Sequence, residues 1–101
     1  MHFTFTSKTY KLTEELKDFF TVKLDRLKKY ASLGIEEVSV VLDKVKRHSN
    51  GLSQVSVEVL VRTVHETFRF EEQAENVKHA FFRVYEKAEQ TLLRKSDQQT
   101  G

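Results

Sequence analysis

The sequence predicts an α+β domain of order β-α-β-β-β-α, with a four-stranded mixed sheet and both helices on one face. Three observations predict it. Val55, Val57, Val59 and Val61 alternate without a break, the period of a strand buried on one side. Thr13 and Asn76 stand before two apolar series at helical spacing, where residues that cap helix N-termini belong. The chain has 101 residues, no proline and three glycines, so no linker divides it and one core suffices.

Each element follows from its local pattern. Phe3 and Phe5 alternate with His2, Thr4 and Thr6, giving a half-buried strand over 2–6. Thr13 precedes Glu14 and Glu15, and Leu16, Phe19, Phe20, Leu27 and Tyr30 recur with helical period, giving a helix over 14–31. Gly34 is placed to stop it. Val38, Val40 and Leu42 mark a second strand, and Lys46 to Gly51 a hairpin loop. Val55 to Val61 is the third strand. A short turn near Arg62 and Thr63 leads to a fourth carrying Val64, Phe68 and Phe70, and Glu71 to Glu75 is an acidic connector. Asn76 caps a last helix running to about residue 95, with Val77, Phe81, Val84, Tyr85, Ala88 and Leu92 on its apolar face. The helical crossover makes the first two strands parallel, and the last three form an antiparallel meander. The wet face of the sheet carries Thr4, Thr6, Ser39, Asp43, Ser56, Glu58, Thr67 and Arg69.

Composition narrows the function. The absence of cysteine excludes a disulfide scaffold, a zinc ribbon and a cysteine nucleophile. No apolar run approaches a membrane span, and the opening MHFTFTSK lacks the layout of a secretory leader, so a soluble cytoplasmic protein is expected. His2, His48, His65 and His79 show no metal-ligand spacing, and His65 is expected on the wet sheet face. No phosphate loop or nucleophile elbow occurs. No catalytic site, cofactor or metal is expected.

The basic residues carry the remaining signal. The formal net charge is only +2, so placement decides. On a helical wheel, Arg83, Lys87 and Arg94 fall in a sector of about 40° opposite the apolar face, with Gln90 beside them. The stripe spans about 16 Å and suits a row of phosphates. The same residues also complement the helix dipole, and Glu86 and Glu89 interrupt them, as on an ordinary solvated face. In the first helix Lys23, Arg26, Lys28 and Lys29 face a single acid, Asp25. Lys23 sits among Phe19, Phe20 and Leu27. It is either a stem reaching over the core edge to water or a lysine in a groove between two parallel helices, facing an anion. Lys44, Lys46, Arg47 and His48 form a third basic cluster at the hairpin. Phe82 and Leu93 lie off the main apolar sector and either broaden the core contact or mark an interaction patch.

At this point the residues match a family. The opening strand, Tyr10, Leu12, Thr13-Glu14, Leu16, Phe19, Lys23, Leu27 and Tyr30, then Ala80, Lys87, Leu92, Arg94 and Lys95, resemble the short ribosome hibernation promoting factors, also called ribosome-associated inhibitor A or sigma-54 modulation proteins. The resemblance covers essentially the whole chain. It implies a double-stranded-RNA-binding-like fold and a ribosome-binding domain over 1–95, with 96–101 a short polar tail. It implies binding in the mRNA and tRNA channel of the small ribosomal subunit, inhibiting translation and preserving idle ribosomes in stationary phase or stress. The rRNA-binding residues would be Lys23, Arg26, Lys28, Lys29, Arg83, Lys87, Arg94 and Lys95, with Lys44, Lys46, Arg47 and Lys78 as further candidates. The one-sided alternation predicts a domain that is a monomer when free, and the short type implies a separate ribosome modulation factor acting on the same ribosome. One departure stands out. Where the family usually places an aromatic at the start of the second helix, this chain has Lys78. Two other readings of the residues remain: a general duplex-RNA binder, and a protein-interaction module using the wet sheet face or Phe82 and Leu93.

Overall fold

The computed structural model describes residues 1–45 and 54–100. Its elements are β1 (His2–Ser7), α1 (Glu14–Leu24) continued by 3₁₀ turns (Asp25–Leu33), β2 (Ile35–Val45), β3 (Gln54–Thr63), β4 (Thr67–Ala74) and α2 (Val77–Thr100). The sheet order is β1-β2-β3-β4. β1 and β2 are parallel, and the other pairs are antiparallel. The topology is the expected one. The hairpin cluster of Lys46, Arg47 and His48 lies outside the described residues.

One face of the sheet is dry. Val38, Val40 and Leu42 of β2 and Val55, Val57, Val59 and Val61 of β3 are buried against both helices. The helices lie side by side and run parallel. Phe20 and Phe81 meet at 4.6 Å between ring centroids, Phe19 and Phe81 at 5.8 Å, and further along Lys29 meets Glu89. The opposite face is polar: the Thr4 hydroxyl donates to Ser39 Oγ at 2.7 Å, Ser39 donates to Glu37 at 2.9 Å, and Arg69 pairs with Glu58 at 2.5 Å.

The caps form where the sequence places them. Thr13 Oγ1 accepts the Leu16 N–H at 3.2 Å, and Asn76 Oδ1 accepts the His79 N–H at 2.8 Å. Gly34 adopts φ 70° and its N–H bonds the Ala31 carbonyl at 2.9 Å, ending the first helical segment. An added Cβ there would lie 2.7 Å from Val64 Cγ2.

Four boundaries differ from expectation. The first helix is α-helical only to Leu24, then winds as 3₁₀ turns. Leu24, Leu27, Tyr30 and Leu33 are all buried and three apart, the period of a 3₁₀ helix, so the tighter winding keeps all four on the core. The third turn comes later than Arg62–Thr63. Thr63, buried at the end of β3, closes the turn itself, its hydroxyl donating to the Glu66 carbonyl at 2.8 Å and accepting the Glu66 N–H at 3.1 Å. Val64 therefore stands in the turn, exposed, with its N–H on the Gly34 carbonyl at 3.1 Å; His65 is in the same turn, not on the wet face. The acidic connector is strand as far as Ala74, because Glu72 finds Lys87 of α2 at 2.5 Å. Finally, α2 continues to Thr100, so 96–100 are helical.

Candidate nucleic-acid interface

The helical layer carries the candidate site. Phe81, Val84, Tyr85, Ala88 and Leu92 of α2 face the core, as the wheel requires. Arg83, Lys87, Gln90 and Arg94 are exposed on the other side. The stripe is not uniformly free. Arg83 Nη1 donates to the Gln73 carbonyl at 3.3 Å, and Lys87 is held by Glu72. Arg94 has no ion pair among the described residues. Lys95 is turned toward β4, with Nζ 3.7 Å from Glu66 and 6.0 Å from the Phe68 ring centroid.

The basic residues of the first helical segment divide in the same way. Lys28 pairs with Asp25 at 2.7 Å and Lys29 with Glu89 at 3.1 Å. Arg26, Lys28 and Lys29 lie on the 3₁₀ turns rather than the α-helix. Lys23 and Arg26 line a narrow groove between α1 and α2, together with Phe19, Phe81, Phe82 and Tyr85. Neither has an ion pair among the described residues. Lys23 is thus half-buried at the edge of a groove between parallel helices, a position compatible with both readings of its role. Lys78 stands at the same flank, its Nζ 5.1 Å from the Phe19 ring centroid. Lys44 is exposed near the end of β2, where both helices begin. Lys46 and Arg47 lie outside the described residues.

A polar link clamps the two helical segments together below this groove. The Tyr85 hydroxyl donates to Glu89 Oε2 at 2.9 Å, and Lys29 Nζ reaches the same oxygen at 3.1 Å. The hydrogen bond from Lys29 holds the Glu89 carboxyl below its usual range, against the opposing effect of burial. The hydrogen bond to Glu89 raises Lys29 in turn. Burial first, and the bond to Glu89 second, push the Tyr85 phenol up to about 12. Sequence reasoning treated Glu89 only as an interruption of positive charge. The available signal was the i,i+4 spacing of Tyr85 and Glu89 on the flank next to the apolar sector. Phe82 and Leu93 are 53% and 48% exposed, so neither broadens the core.

Among the described residues no group of histidines and acids could hold a metal ion, and no helix is long and apolar enough to cross a membrane.

A four-stranded mixed sheet under two parallel helices, with cations on the helical side that have no ion pair among the described residues, places the chain among small two-layer α+β domains. Residues 3–100 match the family described as sigma 54 modulation protein / S30EA ribosomal protein, and the chain belongs to that family. It is not an enzyme family. The fold is shared with a solved ribosomal subunit interface protein from Coxiella burnetii: TM-score 0.81, 16% identity, covering 96% of this chain and 99% of that one. The N-terminal domain of Thermus thermophilus Protein Y is similar at TM-score 0.75 and 22% identity, over 90% and 93% of the two chains. Comparison with curated proteins gives no match.

Proposed function

We propose that this protein is a ribosome hibernation factor of the short type, which binds the small ribosomal subunit in the mRNA and tRNA channel and inhibits translation. Its place of action is then the cytoplasm, and free protein is a monomer. A separate ribosome modulation factor would act on the same ribosome. The observation that carries the reading, beside family membership, is the sorting of cations on the helical layer. Lys23, Arg26, Arg83 and Arg94 have no ion pair among the described residues, although the chain holds nearly as many acids as bases.

These four residues contact rRNA phosphates first. Lys28, Lys87 and Lys95 sit in exposed pairs whose net contribution is about 0–1 kcal/mol, so a phosphate competes readily for each, whereas for Lys29 it competes with Glu89. Lys44 and Lys78 extend the contact toward the end where both helices begin, and Lys46 and Arg47 are further candidates by sequence. Four neutralised phosphates correspond to a fall in log K of about 3 per tenfold rise in salt.

Cosedimentation of the protein with purified small subunits over a salt series tests this. Binding to small subunits and whole ribosomes, steep in salt and accompanied by loss of translation in a cell-free system, is the expected result. Equal affinity for any RNA duplex would instead make the protein a general duplex binder. No affinity for either would leave the interaction-module reading.

A further inference from the structure

Resting on that reading, we infer that Phe82 is a stacking platform for one unpaired RNA nucleobase, with Lys23, Arg26 and Lys78 holding the phosphates on either side of it. Of the eight phenylalanines, Phe82 is the one left exposed. Its neighbour Phe81 is 1% exposed and stacks in the core, whereas Phe82 makes no ring contact among the described residues. The ring lines the groove between α1 and α2, beside Phe19, Tyr85, Lys23 and Arg26.

The shape of the groove limits its occupant. The cavity is only about 40 Å³ and its lining is mainly aromatic. That is little more than the volume of one water, so neither a base nor the side chains of a docking helix would enter it; a flat group would lie across its mouth, against the exposed Phe82 ring. Charge limits it further. Lys78 lies one turn before Phe82 on the same flank of α2, and across the groove stand Lys23 of α1 and Arg26 of the 3₁₀ turns that follow it. None of the three has an ion pair among the described residues. On that flank of α2, Glu89 is already engaged by Lys29 and Tyr85, leaving Glu86 as the exposed acid. An aromatic face ringed by unpaired cations is complementary to a base with its flanking phosphates, which is how unpaired RNA is generally held.

The test is equilibrium binding of wild type, Phe82→Ala, Phe82→Leu and Phe82→Tyr to small ribosomal subunits, with folding of each checked by circular dichroism. Stacking per base predicts a loss of about 5- to 150-fold for the alanine and leucine variants, largely recovered by tyrosine. Because Phe82 touches no phosphate, the salt dependence of binding stays that of wild type, whereas Lys23→Met makes it shallower. A leucine variant that binds like wild type overturns the stacking site while leaving the hibernation reading intact. Wild type that binds no subunits overturns both. A second measurement avoids mutation. The NMR signals of the Phe82 ring should shift upfield with a short single-stranded RNA and stay in place with an abasic strand of the same length. Equal shifts with the two strands also overturn the proposal.

Discussion

Reversing the α2 stripe with Arg83→Glu, Lys87→Glu and Arg94→Glu should abolish ribosome binding while leaving the domain folded. The structure sets the stability side. All three residues are exposed, but Lys87 is 2.5 Å from Glu72, so its reversal removes one exposed pair and sets two carboxylates against each other. The lost pair is worth about 0–1 kcal/mol. Repulsion at about 4 Å adds about 1 kcal/mol in water and more where solvent is partly excluded. Arg83 also loses its bond to the Gln73 carbonyl, roughly another 1 kcal/mol. The total, about 2–3 kcal/mol, lies within the roughly 5–15 kcal/mol of a small domain. Hydrogen bonds to charged groups contribute about 1.5–3 kcal/mol each. Losing even two phosphate contacts therefore weakens binding about a hundredfold or more, and added repulsion deepens the loss. Thermal unfolding followed by circular dichroism and cosedimentation with small subunits measure the two sides separately. A folded triple variant that still sediments with subunits would refute the placement of α2 against rRNA.

Phe81→Ala should cost about 3–5 kcal/mol, because the ring is 1% exposed and packs on Phe19, Phe20 and Tyr85; an unchanged unfolding midpoint would contradict this. Lys23→Met should hold or raise stability, since the stem remains and no ion pair is lost, yet weaken subunit binding; unchanged affinity would make Lys23 a residue that merely reaches water over the core edge. Gly34→Ala should cost about 1–3 kcal/mol through the left-handed backbone and the approach to Val64 Cγ2, and trimming Val64 to alanine should recover part of it in urea unfolding. Stability should also fall between about pH 10 and 12: the unfolded chain releases its tyrosine protons near 10, whereas folded Tyr85 keeps its own to about 12, so the folded state binds more protons across that window. Tyr85→Phe should flatten that part of the curve, and an identical alkaline loss in the variant would assign it elsewhere.

Most of the fold was legible because its signals are local. The valine alternation of β3, the hydroxyl and amide caps, and Gly34 each act within a few residues. The parallel β1–β2 pair followed from the handedness and reach of a helical crossover. What was missed depends on competition between local and distant terms. Leu24, Leu27, Tyr30 and Leu33 repeat every three residues, and a helical wheel at 3.6 does not separate that from an α-helix over so short a run. Glu72 reads as loop by composition, and only Lys87, fifteen residues on, makes an inward-facing acid tolerable at the sheet edge. The exposed stripe on α2 could be read from the wheel, since exposure is a property of one helix. Which cations of the helical layer are already paired could not, since Glu66 and Glu72, the partners of Lys95 and Lys87, come from other elements, and Glu89 of α2 reaches Lys29 from across the helix pair.

That sorting explains how a nearly neutral chain can still present a directional positive surface. With 17 basic and 15 acidic residues, net charge alone gives almost no attraction to RNA. On the sheet face Arg62 and Arg69 are matched by Glu37 and Glu58 at 3.0 and 2.5 Å, so that side adds little field. On the helical side Lys23, Arg26, Lys78 and Arg94 lie beyond ion-pair distance of any acid among the described residues. Local potential depends on this arrangement rather than on the sum, because exposed charges more than about 8–10 Å apart are largely screened at physiological salt. A phosphate approaching the groove between the helices therefore meets uncompensated cations, while one approaching the sheet meets pairs. On the proposed reading, the protein would meet RNA with its helices inward and its sheet outward, because that is where the fold leaves cations beyond the reach of its acids.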